Sequence, residues 1–243
     1  MNKYMIKAAV GAMALLAGAQ ALAYDFTSAT LQSLGQSKFR LLGEDVSSTL
    51  SYKPMIPAAD LGITGFDVGV SFGGTKIANR DAMKDAAGGA SVPSVLPSVA
   101  LRVHKGLPFN LNVGASYTNV PGTPLSALGG ELRWAVLPGG ALLPAVSARV
   151  SAASSTGVDQ LKMKSTGFDV SVSKGFTLLT PYLGIGRVQS KVSAPQTNLA
   201  TEKIGQTKYF GGVNANLGLM NLAIEGDRTG KASTYSLKLG VRF

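Results

Sequence analysis

Tyr235-Ser236-Leu237-Lys238-Leu239-Gly240-Val241-Arg242-Phe243 closes the chain, and its pattern decides the fold. Every second residue is apolar (Tyr235, Leu237, Leu239, Val241, Phe243), with Ser236, Lys238, Gly240 and Arg242 between them. Successive side chains of a strand point to opposite faces, so the segment has one apolar and one polar side. Working back along the chain, the same period of two recurs. Phe66, Val68, Val70 and Phe72 alternate with Asp67, Gly69, Ser71 and Gly73. Phe109, Leu111, Val113, Ala115 and Tyr117 alternate with Asn110, Asn112, Gly114, Ser116 and Thr118. Leu128, Leu132, Trp134 and Val136 stand against Glu131 and Arg133. Similar segments lie near residues 96–105, 144–153, 164–174, 180–191, 206–217 and 220–228, with a weaker one at 43–52. Each is about ten residues long, which at ~3.3 Å per residue and a ~45° tilt crosses a bilayer core.

The links between these segments alternate in length. Tight turns are expected at 105–108, 137–142, 175–178 and 217–220, and longer polar links at 75–93, 120–126, 154–163, 193–205 and 229–233. Short turns at one end and long loops at the other describe an up-and-down barrel in a membrane. A soluble sandwich or lipocalin-like barrel shows the same alternation with its apolar face turned inward. Here many residues on the apolar face are small, which suits lipid contact better than a packed core, and the chain ends in an aromatic. The expected fold is all-β: a transmembrane up-and-down antiparallel β-barrel of about ten strands, beginning near Ile63, with twelve as the alternative.

Residues 24–42 carry the only helical character, with Thr27 or Ser28 as a cap and Leu31 and Leu34 on one face. They are expected to form a short helix or a lumen plug. The segment 43–52 makes an awkward eleventh strand, because single-chain bacterial barrels have even strand numbers. Either it is not a full strand, or it pairs with residues near 36–43, or residues 24–42 thread the lumen. The expected organisation is a signal peptide over 1–23, an N-terminal segment over 24–42 and a barrel over 43–243.

Composition narrows the class. The chain has 243 residues, 45% hydrophobic and only 15% charged, with 30 glycines and no cysteine. Disulfide scaffolds, thiolate metal sites and cysteine nucleophiles are excluded. After residue 23 no stretch has the ~18 consecutive apolar positions of a membrane helix, and this much apolar content argues against disorder. At the start, Lys3 and Lys7 precede an apolar run from Ala8 to Ala19, and Ala21-Leu22-Ala23 supplies a small-x-small site. Cleavage after Ala23 and export are expected.

The terminal nonapeptide looks like the C-terminal assembly signal of Gram-negative outer-membrane β-barrels. The chain resembles that family over residues 43–243, and as a whole resembles small barrel proteins of Proteobacteria, through 61–67 and 218–223 among other stretches. The resemblance implies integral residence in the cell outer membrane. It also implies recognition of Tyr235, Leu237, Leu239, Val241 and Phe243 by the barrel-assembly machinery. It brings no activity with it, since a barrel fold is shared by many functions.

If the large apolar side chains meet lipid, the opposite parity lines the lumen. That places Asp67, Glu131, Asp169, Glu225 and Asp227 inward with Arg102, Arg133, Arg149, Lys238 and Arg242. Acids and bases in equal number favour interlocking pairs, because lumen charges are costly unless paired or hydrated. A structural network is the first reading of this set, and a narrow hydrated path the second. Trp134, Tyr117, Tyr182, Tyr209, Tyr235 and Phe243 fall near strand ends, where aromatics form interfacial girdles.

The formal net charge of +10 must lie mostly elsewhere. Lys76, Arg80 and Lys84 occupy the longest loop with Asp81 and Asp85, while Lys162, Lys164, Lys191, Lys203, Lys208, Arg228 and Lys231 lie near other loops and strand tops. The expected partners are outer-membrane lipids and the phosphates of lipopolysaccharide, against the plainer reading of a solvated surface. No basic run is interleaved with aromatics, so nucleic acid is not expected. His104 is the sole histidine, and no nucleophile motif or metal spacing accompanies it. No catalytic residue, metal or cofactor is expected, and the protein is read as not an enzyme. The expectation is a monomeric barrel with a structural or passive pore role for small solutes or apolar compounds. A lipid-modifying enzyme and an adhesin acting through its loops are the alternatives.

Overall fold

The computed structural model describes residues 26–243. The expected leader, with Ala21 and Ala23, lies outside them. From Phe66 onward the alternating residues form ten strands. These are β1 (Phe66–Lys76), β2 (Val95–Leu107), β3 (Leu111–Asn119), β4 (Ser126–Leu137) and β5 (Ala145–Thr156), then β6 (Lys162–Ser173), β7 (Leu179–Ser193), β8 (Glu202–Leu217), β9 (Met220–Thr229) and β10 (Ala232–Arg242). Each strand pairs antiparallel with its sequence neighbours, and β10 returns to β1, closing the barrel. Closure leaves no free edge, which is the condition for a sheet to stand in lipid.

The seam is sealed by the chain's last residue. Phe66 N–H donates to the Phe243 carbonyl at 2.7 Å, and Phe243 N–H donates back to Phe66 at 3.0 Å. The two rings lie 5.6 Å apart, with the Lys105 ammonium 4.5 Å over Phe66. Tyr235, Leu239, Val241 and Phe243 face outward and are exposed, and Leu237 is half-buried.

The barrel is inside out relative to a soluble one. Leu101, Leu128, Trp134, Val150, Phe168, Leu183, Ile185, Tyr209, Val213 and Ile224 stand exposed on the outer wall, whereas charged residues fill the inside. The hydrophobic effect cannot leave such a belt in water, so lipid covers it. The architecture is that of an outer-membrane β-barrel.

The N-terminal residues are helical, as expected over 24–42, and the helix runs on past them. Two helices, α1 (Ser28–Ser33) and α2 (Gly35–Leu50), precede the barrel, and a third, α3 (Arg80–Ala86), sits in the loop after β1. Residues 43–52, read as a weak strand or as no full strand, are the second half of α2 and its exit. Phe39, Leu42, Val46 and Leu50 recur at helical spacing and are buried together. Thr27 caps α1, its hydroxyl accepting from Thr30 N–H. The helices pack among the loop-end ends of the strands. There Leu31, Phe39, Leu42, Met83, Val120, Leu161, Val192 and Ile204 join in one apolar core. A Cβ on Gly43 would come 2.8 Å from Ile204 Cδ1, so α2 lies directly against the wall.

From α2 the chain passes down the lumen as an irregular extended segment, residues 51–65, and turns into β1 at the opposite end. Gly62 takes the positive φ of 78° needed for that turn. The bend presses on Gly106, where a Cβ would collide with the Gly62 carbonyl. This inner passage is the extra crossing that 43–52 does not provide as a strand. The last loop is also shorter than expected, a tight turn at 230–231 in place of a link over 229–233.

Deleting Phe243 removes both terminal seam hydrogen bonds. At about 1 kcal/mol each, the barrel is expected to lose about 2 kcal/mol. Urea unfolding in vesicles, followed by the mobility of unheated protein on gels, measures this; an unchanged midpoint would show the seam does not depend on that residue.

Candidate functional site

The lumen is the site, and each strand contributes through the parity that points inward. All ten of the charged residues expected there face inward, nine of them buried and Arg242 half-buried. They do not form one network. At the turn end, Asp67 accepts from Lys238 Nζ at 2.7 and 2.9 Å and from Arg242 Nε at 2.7 Å. Arg242 also donates to Asn214, which exchanges amide hydrogen bonds with Asn221. Further round the wall, Arg149 grips Asp169 through Nε at 3.1 Å and Nη2 at 2.6 Å, and reaches Glu131 at 3.2 Å. This two-pronged geometry fixes direction as well as charge.

The remaining charged groups turn to the inner segment. Arg102 donates to the Lys53 carbonyl and to Ser71 Oγ, and Arg133 donates to the Pro57 carbonyl. Glu225 accepts from Met55 N–H at 3.1 Å and from the Tyr182 hydroxyl at 2.9 Å. Asp227 meets Lys53 at 3.3 Å, Lys208 at 3.7 Å and the Thr229 hydroxyl at 3.1 Å. Lys208 donates to the Tyr52 carbonyl at 2.8 Å, and Lys53 to the Ser48 carbonyl at 2.7 Å. Ser48 belongs to the last turn of α2, where carbonyls lack helical partners and carry partial negative charge.

Several of these residues are not where the sequence places them. Lys208, expected near the strand tops as part of the outer positive charge, is buried in the lumen against Asp227. Tyr182, expected in the aromatic girdle, points inward to Glu225. Trp134, Tyr117, Tyr209, Tyr235 and Phe243 do face outward. Lys53 and Tyr52 escape sequence reading because they sit on no alternating strand.

His104 is fully buried at the centre of this arrangement. Its Nε2 lies 3.2 Å from the Tyr52 hydroxyl and 3.7 Å from Glu131, and its Nδ1 lies 3.9 Å from Asp67. The ring thus bridges the two charged groups of the wall without a close hydrogen bond to either carboxylate. Among the described residues no group of three or more His, Cys, Asp or Glu has a metal-holding arrangement.

Where α2 meets the first loop, Asp45 accepts from Ala78 N–H at 3.0 Å and Asn79 N–H at 2.7 Å. Burial pushes this carboxyl above its ordinary pKa, against the two amides that favour its charge. Lys38 adds an exposed pair to Asp85 of α3 at 2.6 Å.

No protein-family model matches the sequence, and no curated protein matches it. Solved structures of similar fold include the N-terminal β-barrel domain of Pseudomonas aeruginosa OprF, 11% identical over 73% of this chain and 97% of that one, with a TM-score of 0.32. The KdgM porin in complex with disordered oligogalacturonate is 5% identical over 73% and 99%, with a TM-score of 0.41. An active-site mutant of outer membrane phospholipase A from Escherichia coli is 9% identical over 82% and 97%, with a TM-score of 0.38. All three are outer-membrane barrels, and the likeness is one of architecture.

Removing one partner of a buried ion pair leaves an uncompensated charge, at a cost of about 3–5 kcal/mol. Asp67→Asn is expected to destabilise the barrel by that order, because Lys238 and Arg242 both lose their counter-charge. Adding Lys238→Met should recover part of the loss. Urea midpoints of the single and double variants test this, and a double variant weaker than Asp67→Asn alone would contradict it.

Proposed function

We propose that the protein is a plugged outer-membrane barrel, a passive passage for small solutes held shut by its own residues 51–61. Its loop end faces the cell exterior, and its turns and C-terminus face the periplasm. One observation carries this reading: Arg102, Arg133 and Lys208 of the wall hold the inner segment by its backbone carbonyls. The seat is therefore polar. An apolar plug in an apolar bore would resist displacement through its whole buried area. Here, when the segment leaves, water can replace each carbonyl as acceptor, and the same charged groups line a hydrated path. Catalysis has no place in this reading. His104 is enclosed by Tyr52, Asp67 and Glu131, and serves to fill and polarise the lumen.

Attachment through the loop end is a second reading, favoured by the way Asp45 and Lys38 fix α3 into a defined surface. Loss of cell attachment on deleting residues 78–93, with conductance unaltered, would speak for it.

Single-channel recording in planar bilayers tests the first reading. The mature protein is expected to be silent. A hydrogen bond from a charged donor contributes about 1.5–3 kcal/mol, so Arg102→Met with Arg133→Met should raise open events by about tenfold or more. Steady conductance of the unaltered protein, or silence of a folded variant lacking residues 26–61, would overturn the proposal.

A further inference from the structure

On the outer wall, three lysines stand in one cross-strand row. Lys164 of β6 is the register partner of Lys191 of β7, which is the partner of Lys203 of β8. All three are exposed, and all lie at the loop end of their strands. The next outward row is Thr166, Gln189 and Gly205, followed by Phe168, Arg187 and Thr207, and then by the apolar Val170, Ile185 and Tyr209. The cations therefore sit above the lipid-facing belt, whose first apolar residue below them is Phe168, two rows down. Like charges directly opposite on neighbouring strands repel. No ion pair relieves these three lysines or Arg187 among the described residues, and no strand turns a carboxylate outward. Glu202, beside Lys203, is turned to Arg40. No other part of the wall repeats the row: on β2, β3 and β4 the exposed residues toward the loop end are Val95, Tyr117 and Leu128, and β1 and β9 carry one exposed cation each there, Lys76 and Arg228.

The row encloses a groove of about 300 Å³ lined by Lys164, Thr166, Gln189, Lys191 and Lys203. Gly205 lies in the next row, beside the groove. A Cβ there would lie 3.0 Å from Arg187 Nη2 and 3.0 Å from Gln189 Oε1, so both long side chains fold over the glycine. The backbone positions of the three lysines span two strand spacings, ~9.5 Å, and Arg187 lies four residues down its strand from Lys191. That is wider than one phosphate and matches two held apart on a rigid core.

We propose that this face of β6–β8 binds a bis-phosphorylated glycolipid of the outer leaflet, its phosphates on Lys164, Lys191, Lys203 and Arg187 and its acyl chains against Phe168, Val170 and Ile185. The assignment rests on the outer-membrane orientation proposed above. Anionic groups at that depth complete the charge balance that the wall lacks.

The test uses the mature protein refolded into phosphatidylcholine discs and titrated with bis-phosphorylated lipid A, with bound lipid counted by native mass spectrometry. One lipid per barrel is expected. Each basic residue near an anionic surface contributes roughly fivefold to affinity, so Lys164→Gln, Lys191→Gln and Lys203→Gln together should weaken binding about a hundredfold. Gly205→Leu, which keeps every charge but displaces Arg187 and Gln189 from their place over the glycine, should also weaken it. A control with Lys76→Gln, Lys84→Gln and Lys231→Gln removes equal charge elsewhere and should bind like the parent. Equal loss in the control overturns the site in favour of general attraction. Equal binding of dephosphorylated lipid A or of phosphatidylglycerol, or displacement by millimolar inorganic phosphate, overturns the ligand assignment. Folding of each variant is checked by gel mobility. Labelling of Ser91→Cys by a membrane-impermeant maleimide on whole cells reports orientation separately, so a failed orientation is distinguished from a failed site.

Discussion

The lumen holds more cations than carboxylates, and backbone carbonyls of the threaded segment and of α2 supply the missing acceptors. Asp67 and the Glu131–Arg149–Asp169 group neutralise what the wall can pair within itself. Arg102, Arg133 and Lys208 then donate to the carbonyls of Lys53, Pro57 and Tyr52 respectively, and Lys53 itself donates to Ser48 at the C-terminal turn of α2. Charges in an enclosed space must find partners or lose their hydration unrewarded. Wall and inner segment are thus each incomplete alone. This dependence explains why a segment with little regular structure keeps a defined path through the barrel.

Two opposite solvent regimes meet along one chain. At the loop end, α1, α2 and the loop residues build an apolar core of the kind found in water-soluble proteins. Below it the order reverses, with charge inside and Leu, Val and Phe outside. The strands cross from one regime to the other without a break in their pairing. Met163, Val192 and Ile204 point inward to the helices, while a few residues on the inward positions carry Asp169, Tyr182 and Lys208.

The barrel was legible because a period of two leaves no ambiguity about faces once one side must be apolar. Parity alone identified the inward charged set, from Asp67 on β1 to Arg242 on β10. The same rule fails where its premise fails. On β8, Tyr209 and Phe210 are neighbouring aromatics on opposite faces, so alternation there does not say which side Lys208 joins. In 43–52, Val46 and Leu50 fit a strand read by twos, but with Phe39 and Leu42 they trace a helical stripe. The polar Ser47, Ser48 and Thr49 between them are buried against the wall rather than exposed, which hides the helical pattern. The pairing of wall donors with main-chain carbonyls has no sequence signal at all, because every residue carries a carbonyl.

An even number of wall crossings would leave both ends of the folded chain on one side of the membrane. The inner passage adds an odd one. Phe26 and Ser28 therefore lie among the loops, Ser28 bonded to Gln196, while Phe243 closes the seam at the turns. A tether fused to one end would not share a compartment with a tether fused to the other.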